Sequence, residues 1–107
     1  MMVHKRVFVY LWEFHVGKNK RREFEKTYGP RGDWVKLFRR ARGYIGSELL
    51  TDIGRKGWYI TIDTWASKKL YETFRNFRKS EFESLDKTCE SMTIEERYLG
   101  SFEIPER

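Results

Sequence analysis

Asp63 has the strongest claim to chemistry in this sequence. It stands in the segment Trp58 to Trp65 (WYITIDTW), whose other members are Trp, Tyr, Ile and Thr. Burying an ionised carboxylate without partners costs several kcal/mol, so Asp63 must be paired, protonated or wet. With a raised pKa it can act as a base toward a phenol or enol proton. Paired with a Lys or Arg of a neighbouring strand, it is only structural. Glu13 is the analogous acid in the segment Arg6 to His15 (RVFVYLWEFH). Antiparallel neighbours would set Glu13 and Asp63 at opposite ends of a sheet, which argues against a two-carboxylate acid/base pair. Glu13 and His15 point the same way on a strand and offer two metal ligands. A site needs three or four, so no metal is expected. Cys89 falls on an apolar helical stripe and reads as a buried, inert thiol. No Ser-His-Asp or Cys-His grouping and no phosphate-cradling glycine loop is present. Gly54-Arg55-Lys56-Gly57 is a hairpin turn.

These residues must be positioned by a chain of 107 residues, the usual size of one domain, and a single domain over 1–107 is expected. A lone cysteine cannot form an intrachain disulfide, which points to a reducing cytoplasm. No apolar run approaches the ~20 residues of a membrane span. The stretch Met1 to Arg6 lacks the apolar core of a signal peptide. Net charge is +6, and residues 18–42 carry ten Lys/Arg against three Asp/Glu, whereas the rest carries twelve against thirteen. The excess is a solvated helix face or a hint of an anionic ligand.

Arg6 to His15 is rich in β-branched and aromatic residues and reads as a strand. Both of its faces are largely apolar. Asn19 can cap a charged helix over 20–28. Tyr28-Gly29-Pro30-Arg31-Gly32 interrupts that helix, and Asp33 can cap a second segment with Trp34, Leu37, Phe38 and Ala41 at helical spacing. Gly43 is placed to end it in the left-handed conformation. Tyr44 to Asp52 and Trp58 to Trp65 form a hairpin. Ser67 can cap the next helix, whose stripe is Leu70, Tyr71, Phe74 and Phe77. Ser80-Glu81-Phe82-Glu83 has capping-box spacing, so the helix is expected to break and restart there. Thr93 to Ile104 is a fourth, more polar strand, and Pro105-Glu106-Arg107 a loose end.

Strand, helix, hairpin, helix, strand is the split βαβ order of an α+β, ferredoxin-like fold. Right-handed crossovers favour an antiparallel sheet of order 4-1-3-2 with both helices on one face. The other face then needs cover. Phe8, Tyr10, Trp12 and Phe14 alone would bury about 150–250 Å² each. Four of them exceed the roughly 300–600 Å² of the largest patch on a typical monomer, so a homodimer is expected.

The strand over 8–14, the run Gly43-Tyr44-Ile45-Gly46, and Trp65-Ala66-Ser67 followed by Tyr71 resemble the antibiotic biosynthesis monooxygenase family. Tyr28-Gly29-Pro30 through Asp33-Trp34, with Leu37-Phe38, resembles an uncharacterised branch of it. The resemblance implies a dimeric α/β barrel. It also implies oxidation of an aromatic or quinol-like small molecule by O₂ without a cofactor. Trp65 and Tyr71 keep the spacing of the family's substrate-holding Trp and Tyr, and Thr61 stands where the family has an Asn. Trp65 and Tyr71 either flank a planar substrate or fill core. Trp12 lines the same cavity or a dimer interface. The reading carried forward has Asp63 as base, Trp65 and Tyr71 holding the substrate, and Trp12, Phe38, Phe74 and Thr61 around it. The haem-degrading members use a Trp and a His in the second helical region. This chain has Phe74 there, and its only histidines are His4 and His15. The alternative is a non-catalytic small-molecule-binding or structural dimer.

The same element order builds RNA-recognition domains. Lys56-Gly57-Trp58 begins like their third-strand motif, but Tyr59, Ile60 and Asp63 then occupy its Gly/Ala and aromatic positions. Nucleic acid is therefore not expected as a partner.

Overall fold

β1 (Val7–Val16) is the strand around which the sheet is built. Its side chains alternate between two faces, and neighbours flank it on both edges. It pairs antiparallel with β3 (Trp58–Trp65) on one edge and with β4 (Thr93–Ile104) on the other. β2 (Tyr44–Thr51) adds outside β3. The order β2-β3-β1-β4 is the expected ferredoxin-like 4-1-3-2. This computed structural model describes residues 7–105. The leader reading of Met1 to Arg6, His4, and the end of the loose tail at Glu106 and Arg107 lie outside them.

The expected dimeric α/β barrel is not what the chain forms. The four strands make one open sheet, and β2 and β4 are its two edges, each paired on one side only among the described residues. A barrel would need the edges joined.

The register decides which apolar set meets the helices. Phe8, Tyr10, Trp12 and Phe14 stand opposite Trp65, Asp63, Thr61 and Tyr59. Three of the four β1 residues join the core, with Phe8 and Tyr10 against Tyr71, and Phe14 against Phe24 and Tyr28. The opposite face carries Val9, Leu11, Ile60 and Ile62, with the exposed Leu50 and Phe102 toward its edges. Glu13 sits on that open face. Its carboxylate is held by Arg55 Nη2 at 2.8 Å and Arg97 Nη2 at 2.9 Å. The Arg55 hydrogen bond, above all, holds its pKa below the ordinary carboxylate value. Glu13 and Asp63 thus lie on opposite faces, and no acid/base pair forms.

α1 (Arg21–Tyr28), α2 (Asp33–Phe38), α3 (Lys68–Phe77) and α4 (Lys79–Cys89) cover the other face. Ser67 caps α3 as expected, its Oγ accepting the Leu70 N–H at 3.1 Å. Two other expected caps move. Asn19 falls inside a single 3₁₀ turn, Lys18–Lys20, before α1. Gly32, not Asp33, is the N-cap of α2. A Cβ on Gly32 would lie 2.1 Å from the Thr27 carbonyl oxygen, so no residue with a side chain fits there. Asp33 enters the first turn, where its charge still suits the helix dipole. The α3/α4 break comes at Arg78, with φ −108° and ψ 29°, and not at the Ser80 box. The Arg78 N–H still reaches the Phe74 carbonyl and the Phe82 N–H still reaches Arg78, so the kink strands little backbone. Gly43 has φ +93°, but α2 ends five residues earlier. A Cβ on Gly43 would lie 2.6 Å from Leu70 Cδ1, so the glycine also lets β2 start beneath α3. No helix among the described residues is long and apolar enough to cross a membrane.

Candidate functional site

Between the helix-facing side of the sheet and the helices lies a cavity of about 320 Å³. That is the low end of the ligand-pocket range. Asp63, Tyr71, Trp12, Phe38 and Thr61 line it. Trp65 and Phe74 do not. They are 0% and 4% exposed and form the layer behind the wall. The Trp65 ring packs on Phe38, Tyr44, Tyr71 and Phe74 at 5.2–5.6 Å.

Asp63 is 9% exposed, and no Lys or Arg among the described residues pairs with it. The structural alternative of a cross-strand ion pair is therefore not what holds it. Its partner is Ser47, directly opposite on β2, whose Oγ donates to Oδ1 at 2.5 Å. That commits the Ser47 proton, so at 2.7 Å Tyr44 donates its hydroxyl proton to Ser47 Oγ. Burial drives the Asp63 pKa up from 3.8 to about 6, and the Ser47 bond holds it from rising further. A carboxylic acid poised there exchanges protons readily near neutral pH.

Tyr10 is the cross-strand neighbour of Asp63 on β1 and also lines the cavity. Burial, then the Asp63 charge, raises its hydroxyl pKa well above the ordinary 10.0. It stays protonated and is a hydrogen-bond donor. Tyr71 meets Tyr10 edge-on at 4.7 Å. Its hydroxyl accepts from Arg75 Nη1 at 2.9 Å, which leaves its own proton to donate. Arg75 also lies over the Phe82 ring at 3.8 Å, beside the cavity. The inner end of the cavity thus joins one ionisable acid to two phenolic donors on an aromatic wall.

Tyr10, Ser47 and Arg75 escaped the sequence reading. Ser47 was accessible by counting. The Asp52 N–H bonds the Trp58 carbonyl beside the hairpin turn, and stepping back along both strands sets 47 against 63. In the sequence Tyr10 counts only as apolar area on β1. Arg75 is one helical turn beyond Tyr71, the spacing of a side-chain pair. The remaining candidates lie outside the cavity lining. His15 stacks on Trp58 at 4.5 Å, and no cluster of metal ligands occurs among the described residues. Cys89 is buried, which pushes its thiol pKa up.

No family model matches the chain, and no curated protein matches its sequence. Solved structures do match its fold. A variant of SnoaB, a cofactor-independent oxygenase from Streptomyces nogalater, is 14% identical with a TM-score of 0.70, over 94% of this chain and 95% of its own. A provisionally named antibiotic biosynthesis monooxygenase of Bordetella bronchiseptica is 17% identical with a TM-score of 0.69, over 96% and 99%. A protein of Shewanella oneidensis is 9% identical with a TM-score of 0.69, over 96% and 95%. At such identities the likeness is one of fold, and this chain shares the fold of these three structures.

Proposed function

We propose that the chain is a cofactor-independent oxygenase acting on an aromatic or quinol-like small molecule with O₂. The observation that carries this reading is the Asp63 carboxyl, buried without a cation and facing an aromatic cavity. Asp63 as carboxylate takes a proton from a phenol, an enol or the methylene of a ring ketone. Tyr10 and Tyr71 donate hydrogen bonds to the oxygen on which the substrate's charge develops. The substrate anion passes one electron to O₂, and the resulting pair combines into a C–O bond. For a ring methylene, Asp63 returns its proton to the outer oxygen of the peroxide. The second C–H proton is then lost as its electron pair forms the carbonyl and the O–O bond breaks, and that proton joins the departing hydroxide. The carbon becomes a carbonyl, one oxygen atom is retained, and the other departs as water. The substrate supplies all the electrons, so no cofactor is required.

The test is O₂ consumption by purified, metal-free protein with a panel of anthrones and hydroquinones. Uptake above the uncatalysed rate is expected, and Tyr71→Phe should lower it at least about tenfold. Binding without uptake across the panel would return the chain to a non-catalytic ligand-binding dimer.

A second copy of the chain covers the open face in this reading. The exposed Phe102 and Leu50, beside Val9, Leu11, Ile60 and Ile62, support it, because an apolar surface of this kind favours association. Sedimentation equilibrium at micromolar concentration should return twice the chain mass. A monomer mass would count against the dimer and leave the oxygenase reading standing.

A further inference from the structure

The cavity has the opposite charge from the protein around it. The chain carries +6, yet three acids on the cavity's side of the molecule line it, Asp63, Asp86 and Glu96, against one base, Arg75; Glu48, opposite Ile62, has its side chain on the open face. The basic segment 18–42 contributes only Tyr28, Trp34, Val35 and Phe38 to the lining, all uncharged. Arg75 is already engaged, bonded to Tyr71 and stacked on Phe82.

The acids form two poles. Asp63 stands opposite Tyr10, and Glu96 stands opposite Phe14. Tyr10 and Phe14 are four residues apart on β1, so the poles are about 13 Å apart along the strand. Asp86, on α4, lies near enough to Glu96 for its charge to raise the Glu96 pKa, after burial. Neither Asp86 nor Glu96 forms an ion pair among the described residues, and Glu96 has only the Thr93 hydroxyl at 3.2 Å. Phe14, Tyr28 and Trp34 line the same cavity. Both carboxylates are exposed to solvent and lack an ion-pair partner among the described residues, and beside the aromatic rings they make a solvent-facing seat for an ammonium ion.

We infer that the ligand is a cationic aromatic molecule. It carries a hydroxyl or enol at one end, presented to Asp63, and a protonated amine at the other, seated between Asp86, Glu96 and the rings of Phe14, Tyr28 and Trp34. An anionic ligand, the class that the chain's overall charge would suggest, is disfavoured. The inference takes the cavity as the ligand site, as the proposed function does, but it does not depend on turnover.

The experiment titrates the protein with three derivatives of one naphthol, bearing an aminomethyl, a hydroxymethyl or a carboxylate group at the far end of the ring system. Binding is followed by calorimetry and tryptophan fluorescence without any assay of O₂. The aminomethyl compound should bind at least about tenfold more tightly than the carboxylate, with a preference that shrinks as salt rises. The double variant Asp86→Asn, Glu96→Gln should abolish that preference and leave hydroxymethyl binding unchanged. A carboxylate that binds as well as the amine overturns the inference. So does a preference that survives the double variant, or failure of all three compounds to bind. Failure of oxygen uptake alongside intact amine selectivity would remove the oxygenase and keep the ligand class.

Discussion

Asp63→Asn should abolish oxygen uptake and, at neutral pH, make the protein more stable. The two effects have one cause. Burial raises the Asp63 pKa to about 6 from 3.8. A folded-state pKa above the unfolded value means that ionisation works against folding. The sign follows directly. Below about pH 3 the carboxyl is protonated in both states and Asp63 carries no penalty. As pH rises through about 4 to 6, the unfolded chain ionises first and the native state loses stability. Above about 6 the loss is complete, and the size of the shift sets it at ~1–3 kcal/mol. The isosteric amide has no charge to bury. The wild type and Asp63→Asn should therefore coincide in urea unfolding at about pH 3, with the variant gaining ground until the difference levels off above about pH 6. Catalysis runs the other way. The base works only when ionised, so kcat/KM should rise through about pH 6 and level off, and the Asn variant should lose ~10²–10⁴-fold at the plateau. Ser47→Ala sharpens the point. Removing the bond that holds the Asp63 pKa down should move the kcat/KM limb to higher pH. An Asn variant that is no more stable at pH 7, with uptake unchanged, would take Asp63 out of both roles.

The parts of this molecule that could be read in advance are those set by local physics. The strands emerged from β-branched and aromatic runs. The sheet order came from the handedness of the crossovers. Ser67 could be recognised as a cap because Ser before a helix has one dominant use. What escaped was set by contacts distant in sequence. Gly32 displaced Asp33 as a cap because the chain there passes against the Thr27 carbonyl, which no local pattern encodes. Both faces of β1 are apolar, so alternation alone could not say that Phe8, Tyr10, Trp12 and Phe14 would meet the helices. The barrel came from the resemblance alone, and the open sheet corrects it. At the site, Asp63 announced itself as an acid in an apolar strand, but the partner came out as a serine hydroxyl and not a cation. The basic segment hinted at an anionic ligand, while the charge that faces the cavity comes mostly from β3, β4 and α4.

Trp65 shows how much of the site depends on a residue that never touches the cavity. Its side chain is fully buried, at the centre of a ring cluster formed by Phe38, Tyr44, Tyr71 and Phe74. Trp65→Ala would leave a large void among rings that cannot all collapse into it, at a cost of about 3–5 kcal/mol. Two of those rings belong to the site. Tyr71 lines the cavity, and Tyr44 begins the hydroxyl chain to Asp63. Activity should therefore fall along with stability, by loss of position and not of chemistry. Trp65→Phe is the discriminating companion. The Trp65 indole N–H is buried and completes no well-formed hydrogen bond among the described residues, although it lies near enough to the Tyr10 hydroxyl to pull that group's pKa down, so it carries up to about 1–3 kcal/mol of burden that phenylalanine removes. Phenylalanine also keeps an aromatic face toward Phe38 and Tyr71. Its lost area and its relieved donor should nearly offset each other, leaving stability within about 1.5 kcal/mol of wild type. Oxygen uptake should then remain within a few-fold of wild type. Urea midpoints and initial rates for the two variants separate the possibilities. If Trp65→Phe is as damaging to uptake as Trp65→Ala while its stability is preserved, Trp65 acts on the substrate directly. It would then have to reach the cavity by a rearrangement of the wall in front of it.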